Sequence, residues 1–184
     1  MANQCFVIGV AGGSGSGKST LAGLLAERLS DQKVTVIGAD RFFIRPLPRM
    51  ISPATGLEME DYNCPESIDY DALLEEMRKM KDECDVLIVE GNGVLYFEKL
   101  RSEMDLSVFV DLPIEERMYR RIARNIKAGR GTMEEIASFY LDSARFSEAK
   151  FLLPTKRFAD LVVEGHNFQE KAVDVIEAYV RTKI

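Results

Sequence analysis

Cys5-Phe6-Val7-Ile8-Gly9-Val10-Ala11-Gly12-Gly13-Ser14-Gly15-Ser16-Gly17-Lys18-Ser19-Thr20 holds three signals in succession. Cys5 to Val10 reads as a short buried strand, Gly12 to Ser19 satisfies GxxxxGK[ST], and Lys18 to Leu29 has the spacing of a helix. A glycine-rich turn between a strand and a helix makes a phosphate cradle. Its glycines let backbone N–H groups converge on phosphate oxygens, and the helix start adds its positive dipole end. Gly13, Ser14, Gly15, Ser16, Gly17, Lys18, Ser19 and Thr20 are therefore the nucleotide-binding candidates. Among them Lys18 is expected to neutralise the β and γ phosphates, and Ser19 to hold magnesium through its hydroxyl.

Outward from this turn the same alternation continues. Strand-like runs occur at Val34 to Gly38, Val86 to Val89, Leu106 to Val110 and Leu161 to Val163. Between them lie helical patterns at Tyr70 to Met80, after Pro113, from Thr132 and up to about Val180. Runs as apolar as Val86-Leu87-Ile88-Val89 suit strands covered on both faces. The predicted class is α/β: a doubly wound parallel sheet of about five strands with helices on both faces. With 46% hydrophobic and 29% charged residues, residues 1–184 are expected to form one domain. Ile44 to Pro65, with four prolines and no clear period, reads as a long loop.

A net charge of −6 argues against a dedicated nucleic-acid binder, so any anion site must be local. Cys5, Cys64 and Cys84 lack the number and spacing of a disulfide framework or a zinc site. The apolar run near the start is too short to span a membrane, and no basic leader precedes it, which predicts a cytoplasmic protein without a membrane partner. Homo-oligomerisation is left open.

Carboxylates stand where strands end, and in open α/β sheets such positions line the ligand crevice. Asp40, just beyond Val34 to Gly38, is placed to take a proton from an attacking hydroxyl or to assist magnesium; the bland alternative is a turn aspartate. Glu90 is the equivalent candidate for magnesium or its water shell. Asp111 occupies a third strand end, with helix capping as the competing role. Arg117, Arg120, Arg121 and Arg124 share one helix face, with Lys127 and Arg130 further on. Like charges at that spacing repel, so the stripe suggests a phosphate partner, although a solvated basic face is the alternative. Gly129-Arg130-Gly131-Thr132 then reads as the hinge of a helical lid over about 117–149, and Thr132 with Glu135 as a capping box. His166 is expected to serve a loop or a cap.

In combination these segments resemble the uridine kinase group of P-loop kinases. The likeness is carried by Gly9 to Thr20, Asp40-Arg41-Phe42-Phe43, Glu90-Gly91, Arg120-Arg121-Ile122-Ala123-Arg124 and Leu153-Pro154-Thr155-Lys156-Arg157-Phe158-Ala159-Asp160. It implies ATP and Mg2+ as cofactors, Asp40 as base, and Arg121 and Arg124 as catalytic lid arginines working with Lys18. Asp40, Phe43, Tyr62, Asn63 and Arg121 become the candidate acceptor contacts. The chain departs from the family in Asp61-Tyr62-Asn63-Cys64-Pro65-Glu66-Ser67-Ile68-Asp69, where Asn63 replaces the acid that holds ribose hydroxyls. Phe139-Tyr140 replaces a Gln-Tyr pair, and Asn125 stands in place of an aspartate. Lys81-Asp82-Glu83-Cys84-Asp85 leaves no room for the family's base-covering hairpin. The expected activity is ATP-dependent phosphorylation of a small hydroxylated molecule, a nucleoside first. Nicotinamide riboside, a sugar phosphate, pantothenate and glycerate are the rival acceptors. A nucleotide-driven switch or ATPase without an acceptor is the rival class, although no guanine-reading Asn-Lys-x-Asp segment occurs.

Overall fold

The structure, a computed structural model, describes residues 5–166 and 170–184. Five strands run parallel: β1 (Phe6–Gly12), β2 (Val34–Gly38), β5 (Val86–Glu90), β6 (Leu106–Asp111) and β7 (Leu161–Glu164), in the order β2-β5-β1-β6-β7. Side chains alternate across β1, and both faces are apolar. Ile8 and Val10 pack with Leu21 and Leu25 of α1 (Lys18–Arg28) and with Val173, Ile176 and Val180 of α7 (Glu170–Arg181). On the other face Val7, Leu87, Val89 and Phe109 meet Leu73 and Met77 of α2 (Tyr70–Lys81) and Leu100 of α3 (Glu98–Arg101). Each such side chain, fully buried, contributes about 1.5–3 kcal/mol, which is why a period of two with no polar face reads as a covered sheet.

Two boundaries differ from the expectation. β1 runs on to Gly12, with Ala11 and Gly12 registered against Phe109 and Val110, so the glycine-rich turn begins inside the sheet. The segment Ile44 to Pro65 is not all loop: β3 (Arg49–Ile51) and β4 (Glu58–Glu60) form an antiparallel hairpin. Three-residue strands are too short to show a period, and tertiary contacts hold this hairpin. Ser52 Oγ donates to Asp142 Oδ1 at 3.1 Å, and Ser147 Oγ donates to Asp61 Oδ2 at 3.1 Å.

The segment expected to form a lid starts at α4 (Ile114–Lys127) and turns through Gly129 (φ +66°) and Gly131 (φ +122°) into α5 (Met133–Phe139). The capping box is formed: Thr132 Oγ1 accepts from Glu135 N at 3.2 Å, and Glu135 Oε2 accepts from Thr132 N at 2.7 Å. From Tyr140 the helix continues to Leu152 through two π-type stretches flanking α6 (Arg145–Ser147). Asp111 does not cap α4, whose N-cap position is Pro113 without a side-chain hydrogen bond; it forms an ion pair with Lys156 instead. Among the described residues no helix is long and apolar enough to cross a membrane.

Candidate active site

The carboxyl ends of β1, β2 and β5 open into one cleft. Gly15 (φ +86°) and Gly17 (φ +102°) give the cradle its left-handed turns, and Ser16 N donates to Gly13 O at 3.0 Å. Gly165, one residue past β7, touches the cradle from outside. A Cβ there would collide with the Ser16 carbonyl oxygen, while Arg120 Nη1 donates to Gly165 O at 2.9 Å. Gly165→Ala is accordingly expected to push the loop inward, lower the melting temperature and weaken Mg-ATP binding. Calorimetric titration together with a thermal melt checks this, and unchanged values in both would show that the loop yields at no cost.

Lys18 is 9% exposed at the start of α1. Burial pulls its ammonium pKa below the usual lysine value, while the Glu90 and Asp40 carboxylates oppose that fall. Ser19 Oγ donates to Glu90 Oε1 at 3.0 Å, which brings together the two oxygen groups predicted for a metal. A hydroxyl and a carboxylate beside a phosphate cradle suit Mg2+, which binds through few protein oxygens and keeps waters and phosphates as its remaining ligands. Asp40 projects from the helical turn Ala39–Phe42 that follows β2.

Lys18, Ser19, Asp40, Asn63, Arg121 and Arg124 line a cleft of about 530 Å³, with Phe43, Tyr62 and Phe139 as its aromatic wall. Those rings pack edge to face, Phe43 to Tyr62 at 5.8 Å and Tyr62 to Phe139 at 6.1 Å. A smaller recess of about 40 Å³ continues past Asp40 between Tyr62, Tyr70, Tyr96 and Phe151.

The arginine stripe divides. Arg121 lies over the Phe139 ring at 5.6 Å, and its Nε is buried without a hydrogen-bond partner. Burial lowers its pKa, and the neighbouring Arg124 adds to the fall. Arg124 Nη2 donates to Ser14 Oγ at 3.1 Å, which ties the lid to the cradle. Arg117 faces the interior: its guanidinium meets Glu148 in a buried bidentate pair, so this member is not available to a ligand in the cleft. Arg120 turns toward Gly165, and Glu116 meets His166 Nδ1 at 2.7 Å. His166 lies in the loop after β7 and meets Glu116 of α4.

Asn92, Asn125, Arg130 and Glu135 also line the cleft and were not among the predicted site residues. Asn92 follows Glu90-Gly91 at a strand end, a position that could have flagged it. Asn125, Arg130 and Glu135 are marked in the sequence for other reasons, a departure from the family, the basic run and the capping box, and only tertiary packing makes them part of the cleft wall.

Residues 69–172, more than half of the chain, match the Phosphoribulokinase / Uridine kinase family. The chain belongs to this family of P-loop kinases. It is 32% identical to the uridine kinase of Deinococcus deserti over 203 residues, covering 97% of both chains. It is 30% identical to that of Geobacillus sp. WCH70, covering 99% of this chain and 96% of the relative. Because 203 aligned positions exceed the 184 residues present, the Deinococcus relative carries positions with no counterpart here. Between α2 and β5 only residues 82–85 intervene, which agrees with the short join expected from the sequence. Among solved structures, a candidate fructose transport system kinase from Silicibacter sp. TM1040 superposes with a TM-score of 0.63 at 23% identity, covering 87% of this chain and 90% of that one. An uncharacterised protein from Eubacterium ventriosum gives 0.58 at 13% identity, covering 96% and 99%. These two likenesses concern the fold.

Proposed function

We propose that this member of the family is an ATP-dependent kinase that transfers the γ-phosphoryl group to a hydroxyl of a small acceptor, with a nucleoside as the first candidate. The observation that carries this reading is the convergence of Lys18, Asp40, Arg121 and Arg124 on one cleft at the end of the phosphate cradle. In the proposed reaction the acceptor oxygen forms the new P–O bond and passes its proton to Asp40, while the β–γ bridging bond breaks and ADP leaves. Lys18 neutralises the β and γ oxygens. Arg121 and Arg124 meet charge on the transferring group, and a desolvated guanidinium does so more strongly than a hydrated one. Mg2+, held by Ser19 with Glu90, would neutralise phosphate charge when bound. Phe43, Tyr62 and Asn63 would form the acceptor wall. A cytoplasmic setting, where ATP is available, belongs to the same reading.

Two observations widen the list of acceptors beyond nucleosides. By the family resemblance Asn63 stands where an acid would hold ribose hydroxyls, and the four-residue join before β5 leaves no room for the family's base-covering hairpin. The test is incubation of the purified protein with Mg-ATP and a panel of nucleosides, nicotinamide riboside, sugar phosphates, pantothenate and glycerate, with product followed by mass spectrometry. One acceptor standing out establishes the reading and names the substrate. Tight ATP binding with no product from any of them would favour a nucleotide-binding switch.

A further inference from the structure

Arg117 and Glu148 take no part in the proposed transfer, yet theirs is the most enclosed ion pair among the described residues, with side chains 8% and 4% exposed. Nη1 donates to Oε1 at 2.9 Å, Nη2 donates to Oε2 at 3.1 Å, and Nε donates to the Leu112 carbonyl at 3.1 Å. The guanidinium plane is therefore held from three sides. Tyr140 Oη donates to Glu148 Oε2 at 3.4 Å, so the carboxylate is fixed from its own helix as well.

Against this assembly rests the phosphate cradle. A Cβ on Gly13 would overlap the Arg117 guanidinium, and one on Gly15 would lie 2.5 Å from the Arg117 carbonyl oxygen. The loop backbone thus lies on the arginine with no room for even a methyl group between them. Glycine at these two positions is required by that approach as much as by any ligand. A buried ion pair is weak evidence for stability, because desolvation of both charges offsets most of their attraction. What this pair does possess is a rigid surface shaped to the turn Gly13–Gly15.

We propose that Arg117 and Glu148 are positioning residues for the nucleotide phosphates: Glu148 orients Arg117, and Arg117 holds the Gly13–Gly15 backbone at the curvature in which its N–H groups converge. Neither residue touches the reacting atoms in this scheme; both act through the loop. The same carboxylate lies close enough to Lys18 and Arg121 to favour their charged forms, so its removal would be felt at two further groups of the cleft. The inference rests on the reading of the cradle as a nucleotide site.

The experiment measures Mg-ATP affinity by calorimetric titration, and thermal melting in parallel, for the wild type, for Glu148→Gln, and for the double variant Arg117→Met with Glu148→Leu. Gln keeps the shape and one hydrogen bond, so that variant is expected to fold. The apolar pair fills a similar volume and is expected to melt near the wild type, because apolar replacement of a buried pair is often neutral. Both variants should bind Mg-ATP roughly ten- to a hundredfold more weakly, the scale on which a small misplacement of binding groups acts. Wild-type affinity in either variant would overturn the proposal and leave the pair a packing feature. A wild-type protein that does not bind Mg-ATP at all would overturn the nucleotide reading itself, and this one with it.

Discussion

Asp40→Asn is expected to lower kcat by about 10³-fold while Mg-ATP affinity stays within about twofold of the wild type. The amide keeps the size of the side chain and cannot take up the acceptor proton. Asp40 is exposed in the cleft, so the substitution creates no cavity and strands no buried partner. It does remove one of the three carboxylates, Glu90, Asp40 and Glu148, that favour the charged form of Lys18, but the bound phosphates supply that compensation when ATP is present. Single-turnover transfer to whichever acceptor the panel identifies is the direct measurement. Undiminished transfer by the variant would take Asp40 out of the base role and leave it as a turn residue.

Arg121→Met carries the second large expectation: a loss of about 10³-fold in kcat, on the scale of an arginine that stabilises a transferring phosphoryl group. Stability should move the other way. Arg121 Nε is buried without an acceptor, and an unmade buried hydrogen bond costs about 1–3 kcal/mol. Methionine keeps much of the apolar stem against Phe139 and removes that unsatisfied donor, so the variant is expected to melt at or above the wild-type temperature. Activity bought with strain of this kind is a common reason that stabilising substitutions at a site are costly to function. A variant that melts lower yet transfers at the wild-type rate would make Arg121 a structural residue.

Both expectations concern residues reached from sequence, yet the reasons for their prominence differ. Asp40 follows from its place after β2, a local signal. Arg121 was one of four similar arginines on a helix face, and spacing alone could not rank them. Their separate fates came from neighbours far away in the chain: Glu148 takes Arg117, the Gly165 carbonyl takes Arg120, and the cleft keeps Arg121 and Arg124. The hairpin Arg49–Glu60 was hidden for the same reason, since three-residue strands have no readable period and are held by Asp142 and Ser147, about ninety residues on. Asp111 shows the same limit in reverse, because the partner that draws it from a capping role, Lys156, lies beyond the lid.

By itself the sequence determined the parallel five-stranded sheet, the cradle between β1 and α1, the strand-end acids and the glycine hinge with its capping box. Each of these depends on forces acting within one turn or one strand: glycine backbone freedom, a period of two with both faces apolar, and a cap three residues away. Tertiary structure alone decided which arginine faces the cleft, that the cradle rests on a buried ion pair, and that Phe43, Tyr62 and Phe139 close into one wall. Those outcomes depend on which groups share a desolvated space, where an unpaired charge is expensive and a packed contact excludes alternatives, and sequence spacing carries no record of that space.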